Sequence, residues 1–307
     1  MMRRAARVHS MLTRRRFLAG LGVAAVSLAT APLLAGCVDQ HPYRNADGSA
    51  ATRLVATSPA VMNICDKLEL DLVGICQTSH DVPARYQGLP DVGTPMAPDL
   101  EKLKSLHPDW VLSPNSLQSD LQPKYAGIAV GALFLDLQSV PGMYDSIAAI
   151  GARFDRRAQA QALVDEYDAF MADFRASVQG KPTPTVLVLM GLPGSYVVAT
   201  PNSYAGSLVQ LAGGRNVYDG DGQNFLNVNT EDMLQRDPDI ILRTAHALPD
   251  QVMQMFAKEF AENDIWKHFR AVQDGRVYDL PAAEFGMSAE FNYPDALRTV
   301  QPMLYEE

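Results

Sequence analysis

Met96 and His246 carry side-chain donors that iron accepts readily. One is a thioether, in Thr94-Pro95-Met96-Ala97-Pro98, and the other an imidazole, three residues past an apolar run that ends near Arg243. Such a pair can fill both axial positions of an iron and raises its potential toward the ferrous state. Zinc suits the pair poorly, because its sites draw on Cys, His and carboxylate. Residue type alone leaves the ordinary roles open, a lone Met as core filler and a strand-end His as a hydrogen-bonded loop residue. Of the other histidines, His41 falls in a polar stretch, His107 precedes Pro108, and His268 sits in Trp266-Lys267-His268-Phe269. His80 differs, because Gln77-Thr78-Ser79-His80 directly follows a strand-like run.

The elements that position these residues follow from an internal repeat. Residues 101–112 (EKLKSLHPDWVL) align without a gap with residues 231–242 (EDMLQRDPDIIL), 130 positions later. Each copy reads as a short helix, a Pro-Asp stop and a strand. The residue before a proline is pushed out of the α region, and an apolar β-favouring run suits a buried parallel strand. The first lobe opens on Leu54-Val55-Ala56, a Thr57-Ser58-Pro59 turn, a helix through about Lys67 and a strand over 71–76. The second opens on a strand over 185–190, then a strand over 196–199 and a helix over 204–211 stopped by Gly213-Gly214. Between them Ile147, Ile150 and Phe154, then Ala158, Leu163, Tyr167, Phe170, Phe174 and Val178, predict two helices, the second N-capped by Asp155. About 23 residues at 1.5 Å each make that second helix a rod of roughly 34 Å.

The predicted fold class is therefore α/β: two Rossmann-like lobes with parallel sheets joined by one long backbone helix. The N-terminal lobe is expected over 53–140, connecting helices over 141–180 and the C-terminal lobe over 181–307. Ligands of open parallel sheets sit beyond the carboxyl ends of the strands. Met96 and His80 from one lobe, and His246 from the other, fall there.

Residues 1–36 read as an export signal: a basic stretch, then the uncharged FLAGLGVAAVSLATAPLLAG with a small-residue end. Thr13-Arg14-Arg15-Arg16-Phe17-Leu18 resembles a twin-arginine export motif, and Leu34-Ala35-Gly36-Cys37 resembles a bacterial lipobox, with Cys37 as the lipidated residue. Residues 37–52 read as a flexible polar tether. The expected location is the outer face of a bacterial cell membrane, lipid-anchored. Cys65 and Cys76 are left as buried thiols or a disulfide. The leader takes six arginines and no acidic residue, so the rest of the chain holds 20 Lys+Arg against 35 Asp+Glu, a net charge of −15. Such a surface repels phosphate backbones, which argues against a nucleic-acid partner.

From about residue 53 to 303 the chain resembles the class III substrate-binding proteins of ABC importers. Within that class it resembles the haem-binding lipoproteins of iron-regulated surface determinant (Isd) systems. The general likeness is carried by the two-lobed plan. The closer one is carried by Val92-Gly93-Thr94-Pro95-Met96-Ala97-Pro98-Asp99, Asn202-Ser203-Tyr204-Ala205-Gly206, Leu211-Ala212-Gly213-Gly214, Arg243-Thr244-Ala245-His246 and Phe285-Gly286-Met287. The resemblance implies haem as cargo, with Met96 and His246 as its axial ligands. It also implies that Glu101 and Glu231, at matched positions of the repeat, pair with arginines of the permease, the alternative being local stabilisation of their helices. Haem propionates need local donors on an acidic protein, for which Thr57, Ser58, Ser79 and His80 are candidates, and Arg85 a weaker one. Tyr204, Phe285 and Met287 are expected to wall the porphyrin, and the protein is expected to be a monomer.

The alternatives are a ferric-siderophore or cobalamin carrier of the same class, or an exported haem enzyme. Against an enzyme, no G-x-S-x-G, H-E-x-x-H or paired-cysteine motif occurs.

Overall fold

In each lobe, helices cover both faces of one sheet. The structure, a computed structural model, describes residues 52–306 apart from 221. The expectations for the leader, Cys37, His41 and the tether up to residue 51 lie outside the described residues. The first lobe comprises β1 (Leu54–Ala56), α1 (Pro59–Lys67), β2 (Leu72–Ile75), β3 (Gly93–Thr94), β4 (Ala97–Pro98), α2 (Leu100–Ser105), β5 (Trp110–Pro114), α3 (Gln118–Gly127) and β6 (Gly131–Leu135). Helices α4 (Val140–Arg153) and α5 (Arg157–Val178) follow. The second lobe comprises β7 (Thr185–Leu192), β8 (Ser195–Ala199), α6 (Tyr204–Leu211), β9 (Arg215–Asn216), β10 (Phe225–Leu226), α7 (Thr230–Gln235) and β11 (Ile240–Ala245). It ends with α8 (Pro249–Glu262), α9 (Arg270–Gln273), β12 (Val277–Asp279) and α10 (Tyr293–Tyr305).

The first sheet, in the order β2-β1-β5-β6, is wholly parallel, as predicted. The second, β10-β8-β7-β11-β12, keeps β7, β11 and β12 parallel, but β8 runs antiparallel to both neighbours. That departure comes from Pro193-Gly194. With Gly194 at φ 84° they form a two-residue turn that folds β8 back on β7 before any crossover helix can intervene.

The repeat holds at the level of single bonds. Asp99 and Asn229 cap α2 and α7 through their side chains. Both helices stop two residues before a left-handed residue, His107 at φ 45° and Asp237 at φ 43°, which Pro108 and Pro238 follow. The next residue acts as a clamp: Asp109 Oδ2 accepts the Arg53 N–H at 2.7 Å, and Asp239 Oδ2 accepts the Thr185 N–H at 2.7 Å. Each carboxylate thereby ties the entry of its lobe's first strand to the strand beside it.

Strand alternation sorts the core. Outward-facing residues Val55 and Val111 pack beneath α2 and α3, while Leu187, Leu189 and Ile241 pack beneath α8. The inward-facing set, Leu54, Ala56 and Leu112 with Val186, Val188, Met190 and Leu242, joins residues of α1, α4, α5, α6 and α10 in one cluster common to both lobes. Helix α5, 22 residues long, spans about 33 Å. Asp155 is not its cap: at φ 57° it is the left-handed hinge between α4 and α5, and Arg156 holds the cap position. Cys65 and Cys76 are free buried thiols, and burial pushes Cys65 up to about 12, far from thiolate formation. Among the described residues no helix is long and apolar enough to cross a membrane.

Candidate functional site

The carboxyl ends of the two sheets meet. Ala289, in the loop after β12, donates its N–H to the Leu137 carbonyl in the loop after β6, at 2.7 Å. Glu290 lies near enough to His80 of the other lobe to feel its charge. Burial raises the Glu290 carboxyl, and His80 opposes that shift.

Met96 occupies the tip of a hairpin that the sequence reading did not foresee. Thr94 pairs with Ala97 and Gly93 with Pro98, so Pro95-Met96 is a two-residue turn, and α2 begins at Leu100. Gly93 adopts φ 90°, and an added Cβ would lie 2.8 Å from the Ala97 carbonyl oxygen, so glycine is required for the hairpin to close. The hairpin is fastened to the end of β2, with Gln77 N–H donating to Gly93 O at 2.8 Å. The result is a methionine 68% exposed to solvent.

His246 follows β11 directly, is exposed, and is held by its backbone, its N–H donating to Gly191 O at 3.0 Å. Beneath it α8 packs against β7 so closely that a Cβ on Gly191 would stand 2.2 Å from Val252 Cγ1. The strand end is braced by Arg243, whose Nε donates to Asp279 Oδ1 at 2.7 Å while its guanidinium lies over Phe260. Thr244 Oγ1 donates to Phe285 O, holding the loop after β12 in place.

The other predicted contacts divide. Ser79 and His80 are exposed at the carboxyl end of β2, and Met287 is half-buried in the loop after β12. Thr57 is wholly buried, its hydroxyl engaged with Leu112 O and Ser113 Oγ, so in this arrangement it has nothing to offer a propionate. Ser58 is the buried N-cap of α1. Arg85 pairs with Asp66 and Asp71 at the opposite end of β2. Phe285 at 0% exposure and Tyr204 at 2% are core residues rather than walls, because the loop after β12 folds over them. Burial pushes the Tyr204 phenol well up, with Glu290 adding to the shift, so it stays protonated.

Sequence reasoning passed over Leu248. Five helices, α1, α2, α4, α6 and α7, open on a Ser, Asp or Asn side-chain cap; α3, α5, α9 and α10 have none, and neither does α8, which opens on Leu248. The signal was legible as a leucine directly before Pro249, where a capping residue is ordinarily found. Two cavities lie away from Met96 and His246. One, of about 290 Å³, is lined by Asp136, Ser139, Asn202 and Gln210, and the other, of about 420 Å³, by Lys67, Tyr144, Phe170 and Tyr293.

Glu101 and Glu231 are both exposed at the second position of their helices. A helix that leads into a parallel strand begins at that strand's carboxyl end, so both lie at the cleft end of the sheets. Neighbouring acids are occupied, Asp91 by Lys102 and Asp232 by Arg236 and Tyr218. Among the described residues neither Glu101 nor Glu231 has an ion-pair partner.

The profile of the periplasmic binding protein family matches residues 54–284. The high-affinity heme uptake system protein IsdE of Staphylococcus aureus is 40% identical over 260 residues, 84% of this chain and 89% of the relative. The crystal structure of S. aureus IsdE complexed with heme superimposes with a TM-score of 0.78, at 40% identity, covering 83% of this chain and 99% of that one. An ABC transporter substrate-binding protein from Listeria monocytogenes EGD-e gives a TM-score of 0.80 at 45% identity, covering 84% of this chain and all of the other.

Proposed function

This chain belongs to the periplasmic binding protein family, and from that premise we propose that it carries haem to an ABC importer, with Met96 and His246 as the axial ligands of the iron. The observation that carries the reading is a soft donor displayed to solvent: Met96 is held at 68% exposure on a fastened hairpin, at the same sheet end as the other lobe's exposed His246. An exposed thioether has no packing role, so the core-filler reading of this Met falls away. The donor set also fits the cargo. Among the described residues no three His, Cys, Asp or Glu are grouped to hold a metal ion, whereas a porphyrin brings four nitrogens of its own and asks the protein for two donors.

With both axial positions filled the iron has no open place for a reactant, so the chain acts as a carrier rather than an enzyme. His80 and Ser79 are the propionate donors that this arrangement leaves accessible, and Met287 is the wall residue. Glu101 and Glu231, unpaired at matched sites, present one carboxylate per lobe to permease arginines. Lipidation at Cys37 and twin-arginine export complete the reading, placing the carrier at the outer face of the membrane. Titration of the purified protein with haemin tests it: a saturable Soret band of a six-coordinate low-spin iron is expected at one equivalent. A spectrum that stays that of free haemin, or tight capture of cobalamin or a ferric siderophore instead, would overturn it.

A further inference from the structure

Met96 and Leu248 are the two large apolar side chains that stand exposed among the described residues, at 68% and 53%. One comes from each lobe, and Leu248 lies two residues past His246. Its backbone is at φ 46°, ψ 59°, the left-handed region that a branched side chain rarely occupies. The following residue is Pro249, which normally drives its predecessor to extended backbone; His107 and Asp237 share this geometry before Pro108 and Pro238, but they are residue types that the left-handed region tolerates, and leucine is not. Two features therefore disfavour this conformation, and a third is missing from it, since no side-chain cap satisfies the first turn of α8. What holds the residue there is the helix itself: the Gln251 and Val252 N–H groups donate to the Leu248 carbonyl at 3.0 and 3.1 Å. Aspartate, asparagine or glycine would each suit the position better, and leucine there directs an apolar side chain into water. Local rules broken without a local gain mark functional positions.

We infer that Leu248 is an affinity-determining contact for the porphyrin: an apolar platform beside His246, held outward by a strained backbone so that its surface is covered only when haem is bound. The inference rests on the haem reading. Its effect belongs to residence time and not to coordination, because a leucine supplies no donor atom.

The test uses purified wild type, Leu248→Ser, Leu248→Gly and Leu248→Met, each loaded with haemin. Loss of haemin to excess apomyoglobin is then followed, alongside the Soret spectrum and the thermal midpoint of the unloaded protein. Covering the exposed half of this leucine with an apolar partner corresponds to about a four- to fifteen-fold change in dissociation rate. The Ser and Gly variants should release haemin faster by that factor with the Soret maximum unmoved. Leu248→Met should stay near wild type, and unloaded Leu248→Gly should melt no lower than wild type because glycine relieves the left-handed strain. Wild-type release rates for Ser and Gly overturn the inference, including the case in which those variants impair only delivery to the importer. A shifted Soret maximum overturns it too, since Leu248 would then be acting on the ligand geometry of His246. If wild type itself shows no haem spectrum, it is the carrier reading that fails.

Discussion

Residues 99–109 and 229–239 agree in cap, helix length, left-handed exit, proline and clamping aspartate. The cleft loops have nothing in common: a proline-bearing two-residue hairpin presents Met96 in one lobe, while a strand end and an uncapped helix present His246 and Leu248 in the other. The frame is constrained from many sides and tolerates little change. The loops are constrained mainly at their anchoring bonds, Gln77 to Gly93 and His246 to Gly191, and their tips are free to carry chemistry.

The largest effect expected from breaking this comparison is at the tips. Met96→Ala and His246→Ala should each weaken haemin binding by at least roughly 10–100-fold, the cost of losing even a supporting contact at a metal. Their Soret maxima should move in different ways, because one variant keeps imidazole and the other thioether. Absorbance titration decides it, and two variants with wild-type spectra would remove iron from the comparison.

The frame comes second. Asp239→Ala should destabilise the fold by about 1.5–3 kcal/mol in urea, as expected for hydrogen bonds to a charged group. Its carboxylate accepts both the N–H and the hydroxyl of Thr185 and pairs with Arg270. Asp109→Ala, at an exposed residue, should cost nearer 1 kcal/mol. Equal costs would mean that the two clamps match in energy as well as in position. The pH dependence sharpens the point. Burial alone would raise the Asp239 carboxyl, but the Thr185 donors and Arg270 outweigh it and hold it below the ordinary 3.8. The stabilisation is therefore present above the ordinary carboxylate range and is lost as pH falls through the lowered value. The gap between wild type and Asp239→Ala, measured from pH 7 to 2, should stay constant and then close at the acid end.

The smallest effect belongs to the paired carboxylates. Glu101→Gln and Glu231→Gln should leave urea stability within about 0.5 kcal/mol and haemin binding unchanged. Each should slow association with the importer a few-fold, as expected for rim charges, and flatten its salt dependence. A salt slope equal to that of wild type in the double variant would separate these residues from docking.

The frame was legible because its information is local. Helix, Pro-Asp and strand follow one another in the chain, and the repeat displayed them twice. The clamp itself was not, since Asp109 finds its partner 56 residues away and Asp239 finds its own 54 away. Adjacency to a strand end made Thr57 and His246 candidates, and the resemblance with its aromatic-walled pocket added Phe285 and Tyr204. Neither could say which of them turns inward, because that depends on packing against α10, α6 and the loop after β12. The hairpin escaped notice because Pro98 also suits a helix start. Leu248 escaped because an exposed leucine is unremarkable until its backbone angles are known.

The apolar cluster that runs unbroken from Leu54 to Leu304 has a kinetic consequence. Lobes that share one core cannot part widely without exposing it, so capture does not wait on a closing motion, and a cargo of the right shape can enter at close to its encounter rate. Discrimination must then act after entry. On the proposed haem reading, a guest lacking an atom for the thioether and imidazole to grip leaves as freely as it came, and the coordinated one leaves more slowly.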